Sequence, residues 1–139
     1  MLLTPKRWKY RKPIINQLTW KSCRGTKVAF GEYGLKAVTS TYVTNRQLEA
    51  ARKVIVRAVR KVGKIWFRVF PDVPFTKKGL EMPMGSGKGD VHIYTAPVKK
   101  GKIIFEVSGL SKEEAHDILF RAAKKLPMKT RIVAKNEIK

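Results

Sequence analysis

Cysteine is almost missing: Cys23 stands alone among 139 residues, so no disulfide can close within the chain and a reducing compartment is expected. Histidine is nearly as scarce. His92 and His116 sit in no metal-ligand spacing, and a single thiol cannot complete a structural zinc site. No metal and no cofactor is expected. No apolar run approaches the roughly 20 residues that a membrane-spanning helix needs, and stretches such as Ile103-Ile104-Phe105 read as short buried strands. No membrane partner is expected. The opening Met1-Leu2-Leu3-Thr4-Pro5-Lys6 lacks the apolar core of a secretory signal, and no Arg- and Ser-rich transit segment is evident. Such a protein is used where it is made or is encoded inside an organelle. Carboxylates are the last scarcity, and none precedes Glu32.

The chain is instead rich in cations: 31 Lys and Arg against 10 Asp and Glu, a formal net charge of +21. Such a chain repels itself and calls for a polyanion. With no membrane segment, that polyanion is nucleic acid. The hydrophobic fraction of 43% is too high for wholesale disorder and sufficient for one modest core. Charge is uneven along the chain. Residues 1–64 hold 16 cations and two carboxylates, whereas residues 65–139 hold 15 and eight. The first cluster, Lys6, Arg7, Lys9, Arg11 and Lys12, interleaves Trp8 and Tyr10 and shows neither helical nor strand periodicity. It reads as an arm that orders on a partner, its rings stacking on bases while its cations meet phosphates. The plainer alternative is a solvated tail.

Residues 28 to 38 are strand-like but punctuated by Gly31 and Gly34. Thr44-Asn45-Arg46-Gln47 matches a capping box. It opens a helix whose apolar face is Leu48, Ala51, Ile55, Ala58, Val59 and Val62, with Gly63 as its stop. Arg46, Lys53, Arg57, Arg60 and Lys64 fall on the opposite side of the wheel. A basic face is usually only solvated, but beside this arm and this net charge it reads as phosphate-binding. Ile65 to Phe70 reads as a strand, residues 74 to 90 as a loop, and residues 91 to 98 and 103 to 107 as a hairpin turning at Lys99-Lys100-Gly101. Ser111-Lys112-Glu113-Glu114 is a second capping box. Its helix has Ala115, Ile118, Leu119, Ala122 and Leu126 on the core face, ends at Pro127, and is followed by a strand over residues 129 to 135. The expected class is α+β, a two-layer sandwich with two helices on one side of a mixed sheet. The expected organisation is a basic arm (residues 1–27) that inserts into RNA and one globular domain (residues 28–139) with a mobile glycine-rich loop (residues 76–90).

That loop, Met82-Pro83-Met84-Gly85-Ser86-Gly87-Lys88-Gly89, invites a nucleotide-binding reading that fails. A Walker-type loop needs Gly five residues before Gly87-Lys88 and Ser or Thr after it; here Met82 and Gly89 stand there. Nor are these glycines a dinucleotide fingerprint within a βαβ unit. What remains is exposed backbone and Lys88, suited to close approach by RNA or to nothing beyond an ordinary surface loop. Glu113, Glu114 and Asp117 occupy the first turns of a helix, where the dipole favours negative charge. No enzyme is expected.

Taken together these segments resemble one family, the large-subunit ribosomal protein numbered sixteen, of bacterial and organellar type. The resemblance runs in order through Pro5-Lys6-Arg7, Lys9 to Lys12, Phe30-Gly31-Glu32-Tyr33-Gly34-Leu35-Lys36-Ala37, Arg46 to Arg52, Gly63 to Asp72, Met84 to Gly89, and Ala122 to Thr130. It implies an α/β-hammerhead-like fold docked on large-subunit ribosomal RNA beside the aminoacyl-tRNA site. The arm would thread into RNA near the peptidyl-transferase region, and residues 82–89 would lie near tRNA in the aminoacyl and peptidyl sites. Neighbouring large-subunit proteins would be further partners, and peptide-bond chemistry would belong to the RNA. Pro83 stands where many bacterial members have Arg, and Ser86 where Lys is common. Residues 13–24 also depart from the family's basic, glycine-rich stretch, which hints at an organellar or reduced-genome ribosome. The place of work would be a ribosome in bacterial cytoplasm, mitochondrion or plastid. The competing reading is a free-standing basic RNA chaperone or regulator, for which the arm alone would suffice.

Overall fold

A computed structural model of the chain describes residues 3–60 and 62–135. The first two positions of the expected arm, the last four of the expected domain, and Lys61 lie outside the described residues. Seven strands and two helices follow one another: β1 (Tyr33–Ala37), β2 (Thr41–Thr44), α1 (Asn45–Val59), β3 (Lys64–Phe67), β4 (Val73–Lys77), β5 (Asp90–Val98), β6 (Ile103–Ser108), α2 (Lys112–Ala123) and β7 (Thr130–Ala134).

Both helices begin where their capping boxes stand. The Thr44 hydroxyl accepts from the Gln47 amide at 3.2 Å, and the Gln47 side chain accepts from the Thr44 amide at 3.0 Å. Ser111 and Glu114 repeat the exchange at 3.3 and 3.1 Å. Each box occupies amide groups that a helix start leaves without partners. Leu48, Ala51, Ile55 and Val59 of α1 are buried, as are Ala115, Ile118, Leu119 and Ala122 of α2. The first helix is shorter than its apolar periodicity predicts. It ends at Val59, so Val62 is 72% exposed and Lys64 opens β3, while Ala58, still helical, is exposed and not part of the buried face. Gly63 acts through close packing and not as a left-handed stop, because a Cβ there would meet the Ser108 carbonyl oxygen at 1.9 Å.

The α+β sandwich with two helices is present, but its strands form two sheets and every pairing is antiparallel. Sheet A has the order β3-β6-β1-β7 and sheet B the order β2-β5-β4. The expected mixed sheet and the expected β5–β6 hairpin are therefore both corrected. Lys99-Lys100-Gly101 does turn the chain, with Lys102 N bonded to Lys99 O at 3.1 Å, but it passes the chain from sheet B to sheet A. Local turn chemistry looks the same in both cases. The span expected as a loop also hides β4, whose Pro74 is tolerated because β4 is an edge strand.

One apolar cluster joins the layers: Leu35, Phe105 and Val107 of sheet A, Val43, Ala96 and Val98 of sheet B, and the buried stripes of both helices. Central strand β6 is buried from Ile103 to Val107, since its far face is covered too, by the segment around Val28 to Gly31.

Candidate nucleic-acid interface

Residues 3–27 form no helix or strand, yet several are tied to the body. Trp8 meets Tyr94 of β5 with ring centroids 5.8 Å apart, the Tyr42 hydroxyl donates to the Asn16 carbonyl, and Ser22 N donates to Lys100 O at 3.0 Å. Two segments 76 residues apart are brought together. Lys12 Nζ donates to the Lys88 carbonyl at 3.1 Å and pairs with Asp90 at 3.2 Å. In return, Lys88 Nζ donates to the Pro13 carbonyl at 2.7 Å. The basic segment and the glycine-rich loop thus share one surface. Lys6, Arg7, Lys9 and Arg11 remain exposed, whereas Lys12 is half-buried with a carboxylate partner. That pair is open to solvent, so its net worth is small and a phosphate can compete for the cation.

The loop projects from the β4–β5 edge. Residues 80–88 are all exposed, and Gly85, Ser86 and Gly87 lie in the left-handed region at φ of 102°, 54° and 90°. Only the glycines adopt this without strain. Lys78 Nζ donates to the Gly85 and Pro83 carbonyls across the loop.

Arg46, Lys53, Arg57 and Arg60 form an exposed stripe, set at spacings of seven, four and three opposite the buried face of α1. Lys64, also exposed, is not on that helix. None of the five makes an ion pair among the described residues. The carboxylate in α1, Glu49, is held by Arg52 instead, at 2.6 and 2.8 Å, and this hydrogen bonding lowers its pKa to about 2 despite some burial. An open groove of about 740 Å³ runs between the helices. Its floor includes Val54, Ala58 and Ile118, and its walls carry Arg57, Arg121, Lys124 and Lys125. The sequence alone did not single out the last three cations, which lie in the last turn of α2 and just after it.

The other missed group is Glu106. It is fully buried in β6. One carboxylate oxygen accepts from Ala29 N at 3.1 Å, Phe30 N at 2.7 Å and Gly31 N at 2.9 Å, and the other accepts from the Arg68 guanidinium. Burial pushes its carboxyl up, but the Gly31 and Phe30 amides and then Arg68 outweigh that and hold it below the usual range. A charge in the middle of an apolar strand is tolerated because each oxygen is satisfied. The Arg68 guanidinium in turn lies 5.0 Å from the centroid of the Phe30 ring, which stacks on Trp66 at 6.4 Å and 21°.

His92 and His116 are both exposed and lie on different elements. His116 borders a groove of about 570 Å³ between α2 and β7 that also holds Glu113 and Asp117, but Asp117 is engaged by Arg121 at 2.7 Å. No cluster of three metal-ligating side chains exists among the described residues, and none of the described helices is long and apolar enough to cross a membrane.

With that surface in view, the similarity to known proteins takes on meaning. The family model described as ribosomal protein L16p/L10e matches residues 5–133. The large ribosomal subunit protein uL16 of Borrelia recurrentis (strain A1) is 44% identical over 138 residues, covering 99% of this chain and 100% of that protein. The large ribosomal subunit protein uL16c of Tetradesmus obliquus is 48% identical, covering 95% and 96%. The uL16 protein of Staphylococcus carnosus (strain TM300) is 47% identical, covering 99% and 95%.

Proposed function

The chain belongs to the ribosomal protein L16p/L10e family, and on that premise we propose that it is a structural constituent of the large ribosomal subunit, acts in translation and binds large-subunit RNA through phosphate contacts. The observation that carries the RNA contact is the set of exposed cations with no ion pair among the described residues, Arg46, Lys53 and Arg57 on α1, Arg60 at its end, and Lys124 and Lys125 across the interhelical groove, beside Arg121, which shares its charge with Asp117. Lys6, Arg7, Lys9 and Arg11 extend that contact on the surface shared with the glycine-rich loop, and Lys64 adds a cation at the start of β3. The loop, residues 82–88, is the part that approaches tRNA in the aminoacyl and peptidyl sites. Its left-handed glycines let a nucleic-acid backbone come close, and Lys88 supplies a cation at its base. The protein performs no chemistry in this role; it holds RNA in place.

Sedimentation of a tagged chain from native lysate, at low and then raised salt, tests the proposal. Cosedimentation with large subunits that survives moderate salt is the expected outcome. A tag that stays with bulk RNA at the top of the gradient even at low salt overturns it and favours a free-standing RNA chaperone.

A further inference from the structure

The Phe30–Trp66–Arg68 cluster is explained neither by the core nor by the cationic surfaces. Phe30 is 61% exposed, although a phenyl ring open to water gains nothing by itself. Its position is nonetheless over-determined. The three amides of residues 29–31 converge on the buried Glu106 carboxylate, and a Cβ at Gly31 would meet the Val107 carbonyl oxygen at 2.6 Å. The same carboxylate fixes Arg68, whose guanidinium lies over the Phe30 ring. The Trp66 ring stacks beside it, parallel to within 21°. It lies on β3, an edge strand of sheet A, with exposed Lys64 two residues earlier and so on the same strand face.

We propose that Phe30, backed by Trp66 and held by Arg68, forms a rigid stacking platform for one unpaired RNA base, with Lys64 meeting a flanking phosphate. The proposal rests on the RNA-binding reading above and adds to it a site of different chemistry. Phosphate contacts need only cations. A pair of near-parallel rings, Phe30 exposed and Trp66 half-buried, beside the exposed Lys64 matches the recognition of a splayed-out nucleotide, whose base offers a flat face and whose backbone offers charge. The local balance of charge favours RNA over protein: Glu106 is buried and paired, leaving Glu32 as the exposed carboxylate of the segment. Rigidity matters because a ring already fixed in place loses little freedom on binding.

Irradiation of native large subunits at short ultraviolet wavelength, followed by tryptic mass spectrometry, tests it. Nucleotide adducts are expected on the peptide spanning residues 28–36 or on that spanning residues 65–68. Adducts confined to the arm or the loop would overturn the platform while leaving the RNA-binding reading intact. A chain that neither cosediments nor crosslinks anywhere would instead sink that reading. A Phe30→Leu variant should bind subunit RNA about tenfold more weakly with an unchanged salt slope, and Phe30→Trp should restore affinity. A reduced slope, or unchanged affinity, contradicts stacking. A photoreactive benzoylphenylalanine at position 30 that captures protein in place of RNA assigns the platform to a protein neighbour and overturns the proposal.

Discussion

Glu106 shows how one side chain can set the geometry of a surface it never reaches. Its carboxylate gathers the amides of Ala29, Phe30 and Gly31 and the Arg68 guanidinium, so the segment covering β6 is held by one buried charge. Glu106→Gln removes that charge and turns an amide group toward Arg68. Urea unfolding should show a loss of about 3 kcal/mol, the low end for a broken buried pair, since Arg68 keeps some solvent. The pH dependence has a definite sign. The folded carboxyl lies below its ordinary value of 4.5, so its stabilisation is present above pH 4.5 and fades as pH falls through the folded value. Glu49, held near 2 by Arg52, behaves the same way between 4.5 and 2. The urea midpoint should therefore fall with acid below 4.5, and the fall should be shallower in Glu106→Gln. An acid limb of identical depth in both proteins would contradict the assignment.

At the scale of the element, α1 performs two tasks on opposite faces. Thr44→Ala removes the bond that the Thr44 hydroxyl accepts from the Gln47 amide and should cost about 1 kcal/mol, while Thr44→Ser should be nearly neutral. Ile55→Ala should cost about 2–5 kcal/mol, because the side chain is fully buried. Val62→Ala should cost less than about 0.5 kcal/mol, because the helix has ended before it and the side chain faces water. Equal costs at 55 and 62 would restore the longer helix that the periodicity predicts. The cationic face should behave in the reverse manner. Replacing Arg46, Lys53, Arg57 and Arg60 with Ala should barely move the unfolding midpoint. It should flatten the log–log salt dependence of RNA binding by about 0.7–0.9 for each phosphate that is no longer neutralised. Filter binding across a salt series reads the slope directly.

At the scale of the whole molecule, the net charge of +21 opposes folding of the free chain while driving its association with RNA. These two effects respond oppositely to salt. Raising ionic strength from about 0.01 to 0.1 M shortens the screening length from about 30 to about 10 Å. The thermal midpoint of the free protein should rise over that range as its RNA affinity falls. A midpoint that does not rise would mean that self-repulsion is already relieved within the fold.

The sequence alone determined what depends on near neighbours and on composition. Both capping boxes, the buried stripes of Leu48, Ala51 and Ile55 and of Ile118, Leu119 and Ala122, and the polyanionic partner were legible, because helix starts, helical periodicity and charge are local or additive properties. The resemblance read from ordered motifs agrees with the family shown by the matches over nearly the whole chain. What only the tertiary structure decided depends on which distant segments meet. The turn at Lys99-Lys100-Gly101 looks the same whether it joins paired strands or passes between sheets, so the division into two antiparallel sheets was not legible. Strand β4 was hidden by Pro74, which is harmless only at an edge. Glu106 reads in sequence as a lone carboxylate in an apolar run. Its partners lie 38 and 75–77 residues away, and chain folding, not spacing, brings them within hydrogen-bonding reach.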